Sequence, residues 1–98
     1  MDRDKKEVII GLKKLNSLLN EEGFSRNSSE IKNLIYAIEK DDLEIFKKNY
    51  NSNNIWGGAG SILDIDFRDF EKNKTKHDTL KQLKEYKKKV IKPFWKFW

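Results

Sequence analysis

Three closely spaced glycines in segment 55–66, IWGGAGSILDID, are the first candidates for a ligand-binding loop. Gly57, Gly58 and Gly60 indicate backbone that adopts positive φ or lets another group approach closely. Such N–H groups can converge on an anion. A P-loop, however, ends in Gly-Lys-Ser/Thr, and a dinucleotide fingerprint spaces its glycines as G-x-G-x-x-G; the segment has neither spacing. We therefore interpret the glycines as a tight turn beneath Trp56, whose ring packs over the helices.

The acidic residues that follow could in principle hold a metal. Asp64 and Asp66, with Asp69 beyond them, would share a face if the segment were a strand. The longer ligand array of an EF-hand, with its glycine and terminal glutamate, is missing, and a solvated face explains the same acids. His77 is the single histidine and the chain has no cysteine, which excludes triads and histidine-based zinc sites. We predict no metal, no cofactor and no enzymatic activity.

The C-terminal segment combines lysine with aromatic residues. Residues 84–98 read KEYKKKVIKPFWKFW, and four of the twelve aromatics of the chain stand in its last five positions. Tyr86, Trp95 and Trp98, set beside lysine, suit a protein groove, single-stranded nucleic acid or the interface of a membrane. The alternative is that Trp95 and Trp98 fold back and complete a core that four short helices do not close alone.

Composition limits the other possibilities. A chain of 98 residues has room for one domain, residues 1–98, of which 91–98 form the basic and aromatic tail. Residues 71–98 carry ten lysines against three acids, whereas residues 1–70 carry 11 basic residues against 13 acids. The absence of cysteine excludes disulfides. No signal peptide and no run of apolar residues long enough to span a membrane is evident, so we expect a cytoplasmic location without a transmembrane segment.

Helical spacing of apolar residues predicts the elements that position these groups. A first helix covers about 4–19 and stops before Gly23. A second begins at a capping box formed by Asn27 and Glu30. A short third helix follows Asp41 and Asp42. The apolar positions of the three are Val8, Leu12, Leu15 and Leu19; Ile31, Leu34, Ile35 and Ile38; and Leu43, Phe46 and Tyr50.

Beyond the third helix, asparagines and the glycines interrupt regular structure. In segment 61–70, Leu63, Ile65 and Phe67 alternate with polar residues as in a half-buried strand, although Ser61 could equally cap a helical turn. Leu80, Leu83, Tyr86 and Val90 then mark a fourth helix that ends before Pro93. The fold class predicted is all-α: a small four-helix bundle with a glycine-rich loop, the segment between helices three and four being either extended or helical.

From Leu12 to Phe67 the chain resembles a family of small bacterial domains of unknown function. The resemblance is carried by a helix pair, an Asp-Asp turn, a short amphipathic helix and a GG-x-GS-x-x-D signature. That signature consists here of Gly57, Gly58, Gly60, Ser61 and Asp64. It implies a small single-domain helical protein. By analogy, compact proteins of this kind are often immunity partners of secreted bacterial toxins.

We therefore expect a non-catalytic, protein-binding protein, with an immunity protein that occludes the active site of a toxin as the leading hypothesis. The basic tail departs from immunity proteins against nucleases, which tend to be acidic, and implies a toxin other than a basic nuclease. The alternative is a small nucleic-acid-binding or regulatory protein that uses the tail. The candidate binding residues are Trp56, Gly57, Gly58, Gly60, Ser61, Asp64, Tyr86, Trp95 and Trp98.

Overall fold

The computed structural model describes residues 2–57 and 60–91, and within these ranges all regular structure is helical. The elements in chain order are α1 (Asp2–Glu21), α2 (Ser25–Glu39), α3 (Leu43–Tyr50), the single turn α4 (Asn53–Trp56), a 3-10 turn (Ile62–Asp64) and α5 (Phe70–Val90). Four of these helices have two turns or more. The chain is thus a small all-α four-helix bundle, as its apolar periodicity predicts.

The core is built on α1, which packs against both α2 and α5, while α3 covers α2. The buried apolar residues of the four main helices are those of the predicted apolar stripes with Ala37 added, whereas Leu43, predicted on the stripe of the third helix, is 45% exposed. The connection between α3 and α5 adds its own buried residues. Together they are Val8, Leu12, Leu15, Leu19, Ile31, Leu34, Ile35, Ala37, Ile38, Phe46, Ile55, Ile62, Ile65, Phe67, Leu80, Leu83 and Tyr86. Residues of the 51–69 connection therefore belong to the core and are not merely a linker.

α1 and α5 approach each other closely at Gly11. A Cβ built at this position would lie 3.0 Å from Oε1 of Gln82 and 3.2 Å from Oγ1 of Thr79. The same hydroxyl of Thr79 donates to the carbonyl oxygen of Gly11 at 3.3 Å. The missing side chain thus lets a polar residue of α5 contact the backbone of α1.

The corner between α1 and α2 is tighter than the sequence indicates. Gly23 has φ +84°, and the N–H of Phe24 donates to the carbonyl of Leu19 at 2.8 Å, which are the features of a Schellman motif. The chain reverses at once and α2 begins at Ser25. The predicted N-cap Asn27 is therefore wrong: Asn27 lies inside the first turn, where its side chain is available for another contact.

The starts of α3 and α5 are both capped by aspartate. Asp42 accepts from the N–H of Ile45 at 3.1 Å, which confirms the predicted start of the third helix. Asp69 accepts from the N–H of Lys72 at 3.1 Å, so α5 begins at Phe70, well ahead of Leu80, the first apolar position predicted for the fourth helix. The cap and the high helix propensity of lysine and glutamate outweigh the lack of buried apolar residues in the first turns, where Phe70 is exposed.

Segment 61–70 contains no strand, and ahead of α5 only its first part is helical, without a capping hydrogen bond from the side chain of Ser61. Ile62–Asp64 form a 3-10 turn that begins at Ser61, and the chain then runs without regular structure to Asp69. Ile65 and Phe67 are buried while Asp64, Asp66 and Arg68 are exposed, as alternation predicts. Leu63 breaks the pattern, because the 3-10 turn directs Ile62 into the core in its place.

Candidate binding surfaces

The glycine loop, residues 57–61, is anchored to the start of α2. Nδ2 of Asn27 donates to the carbonyl oxygen of Gly60 at 3.0 Å. Gly60 has φ +86° and nothing lies within 4 Å of the place of a Cβ, so conformation rather than crowding requires glycine there. Ser61 is buried and Gly57 is exposed. Gly58 lies outside the described residues. A partner that contacts this loop would therefore meet Gly57 and Gly60 and not Ser61.

Trp56 packs against aromatic and basic neighbours, in keeping with its predicted place over the helices. Its indole N–H donates to the carbonyl oxygen of Tyr50 at 2.6 Å, and the two rings lie 5.3 Å apart between centroids. Nζ of Lys84 from α5 stands 5.1 Å from the centre of the indole ring. These contacts fix Trp56 as a half-buried bridge between the α3–α4 corner and α5.

Lys76 is a buried lysine that sequence reasoning missed. Its side chain is 3% exposed, and Nζ donates to the carbonyl oxygens of Leu63, at 3.3 Å, and of Ile65. Burial lowers the pKa of Lys76, while the carboxylates of Asp66 and Asp64 act in the opposite direction. The sequence does contain a signal for this burial, because Lys76 precedes Leu80 and Leu83 on the apolar stripe of α5. Asp64 itself is exposed.

Asp66 ties the irregular segment to α5. Its Oδ1 accepts from the N–H of Arg68 and from Nδ2 of Asn73, both at 2.9 Å. Oδ1 of Asn73 accepts in turn from the N–H of Phe67 at 3.1 Å. The bond from the Arg68 N–H, followed by the bond from Asn73, lowers the pKa of Asp66. This exposed carboxylate thus accepts hydrogen bonds that hold the segment in place.

Large apolar side chains are exposed beside these polar anchors. Phe70, on the first turn of α5, is 78% exposed, Leu63 44% and Phe24 36%. The ring of Phe24 contacts Phe67 edge-on at 6.3 Å, and an ion pair between Glu22 and Lys72, at 4.0 Å, joins the end of α1 to the start of α5. We call Phe24, Leu63 and Phe70 the loop-end surface. If the helix start is placed at Asp69, the sequence predicts that Phe70 is exposed, because Phe70 lies off the apolar stripe of α5.

The opposite end of the bundle holds a cavity of about 460 Å³. We call it the terminal groove. Its floor is formed by the buried residues Ala37, Ile38, Phe46 and Tyr86, and its walls by Leu43 and Val90. At the rim, Nζ of Lys5 lies 3.1 Å and 3.2 Å from the two carboxylate oxygens of Asp41. The groove is apolar inside and charged at its edge.

Tyr86 belongs to this floor. Its ring meets Phe46 edge-on, with 5.7 Å between centroids, and it is 9% exposed. Burial raises the pKa of Tyr86, and the nearby Asp41 adds to this effect. Its face is therefore not open for stacking on a base in the described structure. Trp95 and Trp98 lie outside the described residues, as does all of the predicted tail except Ile91.

Comparison of the chain with protein families, with curated proteins and with solved structures finds no match. The resemblance around the GG-x-GS-x-x-D signature therefore stays a prediction.

Within residues 2–57 and 60–91 no group of three or more histidine, cysteine or acidic side chains could hold a metal ion. In the same ranges, no helix combines the length and apolar character needed to cross a bilayer. α5 carries eight lysines, of which at least five contact groups of this chain. Lys72 and Lys74 pair with acids, Lys76 binds carbonyls, and Lys84 and Lys87 lie over aromatic rings. Much of the basic charge of this helix is thus used internally.

Proposed function

We propose that the protein acts by binding another protein through its loop-end surface, and that it is a cytoplasmic immunity protein that neutralises a bacterial toxin by covering its active site. The exposure of Phe70 carries the proposal. A phenylalanine that is 78% exposed on the first turn of a capped helix contributes nothing to the core. Exposed aromatics held on rigid elements are the side chains that dominate protein interfaces.

The anchoring of the neighbouring backbone supports this interpretation. Leu63 is held by the bond from Lys76 to its own carbonyl, and Phe24 by the Schellman motif and its contact with Phe67. A surface fixed in this way loses little conformational entropy on binding, which favours affinity. Occlusion of an active site needs only such a rigid protrusion and no catalytic group of its own.

The alternative of nucleic-acid binding has less support. It uses the lysines of the C-terminal segment 84–98 with Tyr86, Trp95 and Trp98, but Tyr86 is buried, and Lys84 and Lys87 already lie over the rings of Trp56 and Tyr50. Phosphate contacts would also make affinity fall steeply with salt, whereas an interface of aromatic anchors is much less sensitive.

The experiment is an affinity capture from the source organism with the tagged full chain, washed at low and then at high salt. We expect one stoichiometric protein to survive the high-salt wash. It should be lost with Phe70→Glu and kept with Tyr36→Glu, a matched control because Tyr36 is also largely exposed, at 53%, but lies on α2. Glutamate is tolerated at Phe70, since negative charge is favourable in the first turn of a helix.

Expression of the captured protein then tests the immunity step. Growth should stop in cells that make it alone, recover with the wild-type chain, and stop again with Phe70→Glu. If the captured protein is harmless, the protein-binding part of the proposal stands and the immunity function is refuted. Capture of nucleic acid that is released by salt, with no protein retained, would replace the whole proposal by the nucleic-acid alternative.

A further inference from the structure

The terminal groove is concave, and its interior is apolar. Its volume of about 460 Å³ lies within the range of sites that bind small molecules. On the floor, Phe46 is 1% exposed and its ring meets that of Tyr86 edge-on. On the wall, Leu43 is 45% exposed although its side chain is apolar. The groove therefore offers apolar contact to the body of a small ligand, which would remove part of Leu43 from water.

Charged groups stand at the rim of the groove. The lining contains two lysines, Lys5 and Lys89, against one acid, Asp41, so it carries one more positive charge than negative. Glu7 and Glu85 line a smaller depression of about 50 Å³ beside Lys89 and not the groove itself. Lys5 contacts Asp41, but an ammonium group has three N–H donors and can bind a second acceptor. The rim therefore favours a ligand whose polar end is an anion.

The phenol of Tyr86 connects the apolar floor with this rim. Burial raises the pKa of Tyr86, Asp41 adds to this effect and Lys5 opposes it, so both charges of the rim act on the phenolic oxygen. Within the described part of the chain, the hydroxyl of Tyr86 makes no hydrogen bond. It can therefore donate to an oxygen of a ligand held at the rim.

We propose that the terminal groove binds a small carboxylate with an apolar body. The body lies against Phe46 and Leu43, and the carboxylate accepts from the ammonium groups of Lys5 and Lys89 and from the hydroxyl of Tyr86. Hydrogen bonds between ionised groups are stronger than neutral ones, so this end of the ligand supplies specificity. The site lies at the end of the bundle opposite the loop-end surface and does not depend on the function proposed for that surface.

The test is a titration of the ¹⁵N-labelled full chain with octanoate, followed in ¹H–¹⁵N NMR spectra. Octanamide and octylammonium serve as probes with the same apolar chain and a neutral or a cationic end. We expect saturable shifts of the amides of Leu43, Tyr86 and Val90, with no shift at Phe70. Octanoate should bind about fivefold more tightly than octanamide, and octylammonium should bind most weakly.

Asp41→Asn separates binding at the rim from general apolar association. Asp41 has φ +54°, which asparagine also tolerates, so the substitution removes the negative charge and keeps the backbone. Because the carboxylate of Asp41 competes with the ligand for Lys5, the affinity for octanoate should rise by about twofold to fivefold. The affinity for octanamide should not change.

Leu43→Glu should act in the opposite direction and lower the affinity for octanoate by about tenfold, because it adds a negative charge to the wall and removes apolar contact. The matched control is Leu63→Glu, since Leu63 is 44% exposed but lies at the loop end. This variant should bind octanoate like the wild type. Preserved dispersion of the amide resonances reports that each variant is folded.

Three results would overturn the proposal: no saturable shift of the groove amides, equal affinity for the three probes, or weaker binding of octanoate by Asp41→Asn. None of them affects the capture of a protein by the loop-end surface, which Phe70→Glu tests separately. The two proposals can therefore fail independently.

Discussion

The two ends of this bundle are held together by different kinds of contact. At the loop end, side chains bind backbone: Asn27 to Gly60, Lys76 to Leu63, and Asp66 to the N–H of Arg68. At the groove end, rings and aliphatic groups bind one another, and the ion pair of Lys5 with Asp41 lies at the surface. The same short chain therefore uses polar side chains at one end and apolar packing at the other.

The difference follows from the state of the backbone. Helices satisfy their own N–H and carbonyl groups, so at the groove end only the shape of the side chains matters, and imperfect filling leaves a cavity. Residues 61–69 have no ladder of hydrogen bonds, and their buried carbonyls need donors from elsewhere. An irregular connection can thus enter a core when nearby polar side chains, here on α2 and α5, form hydrogen bonds with its backbone groups.

The largest expected effect tests the apolar end. Phe46→Ala removes a ring that is 1% exposed and contacts both Tyr50 and Tyr86, so the free energy of unfolding should fall by about 3–5 kcal/mol. Urea denaturation followed by circular dichroism measures it.

The same substitution at the other end is the control. Phe70→Ala, at a ring that is 78% exposed, should change the stability by less than about 0.5 kcal/mol. Comparable losses at both positions would show that Phe70 is part of the core and would remove the basis of the loop-end surface.

The next prediction tests the polar end. Lys76→Met keeps the length of the side chain but leaves the carbonyls of Leu63 and Ile65 without their donor, so stability should fall by about 1–3 kcal/mol near pH 7. Lys81→Met, at an exposed position of the same helix, should have little effect.

Alkaline pH sharpens this test. Because the pKa of Lys76 is lowered in the folded protein, the unfolded chain binds more protons between that value and the ordinary pKa of lysine. The contribution of Lys76 to stability therefore rises with pH across this window, and the wild type should exceed Lys76→Met by more near pH 10 than near pH 7. The raised pKa values of Tyr50 and Tyr86 affect both proteins alike. A difference that shrinks with pH would contradict the burial of the ammonium group.

The helices were predictable because their signals are local. Stripes such as Val8, Leu12, Leu15 and Leu19, with Gly23 as a stop, depend on neighbours within a few turns, and the structure confirms them. The start of α5 was missed because the one apolar residue of its first turn, Phe70, lies off the apolar stripe, and the start depends on a cap. The roles of Asn27 and Lys76 depend on residues 33 and 11 positions away, and spacing along the chain does not report contacts at such separations.

The candidate site was less predictable for the same reason. The requirement for glycine at Gly60 could be foreseen from its type, since few other residues adopt positive φ. Whether Tyr86 faces a partner or the core depends on Phe46, which comes from another helix. The exposure of Phe70 follows only when the cap at Asp69 is known.

The smallest expected effect compares two residues with positive φ, one at each end. Arg68 has φ +59° and Asp41 has φ +54°, a conformation that costs most non-glycine residues about 1–2 kcal/mol. Arg68→Gly should relieve this strain and, after the entropy of glycine in the unfolded chain, stabilise the protein by about 0.5–1 kcal/mol.

Asp41→Gly relieves less strain, because aspartate tolerates this conformation, and it removes the ion pair with Lys5, so little net change is expected at low salt. The free energies of unfolding of the two variants should converge at high salt. Screening weakens the exposed pair of Lys5 with Asp41, so removing it by Asp41→Gly then costs less stability. Urea denaturation at low and high salt measures both. If Arg68→Gly destabilises the protein instead, the Arg68 side chain makes a contact worth more than its strain, and the loop end is then held by more than its polar anchors.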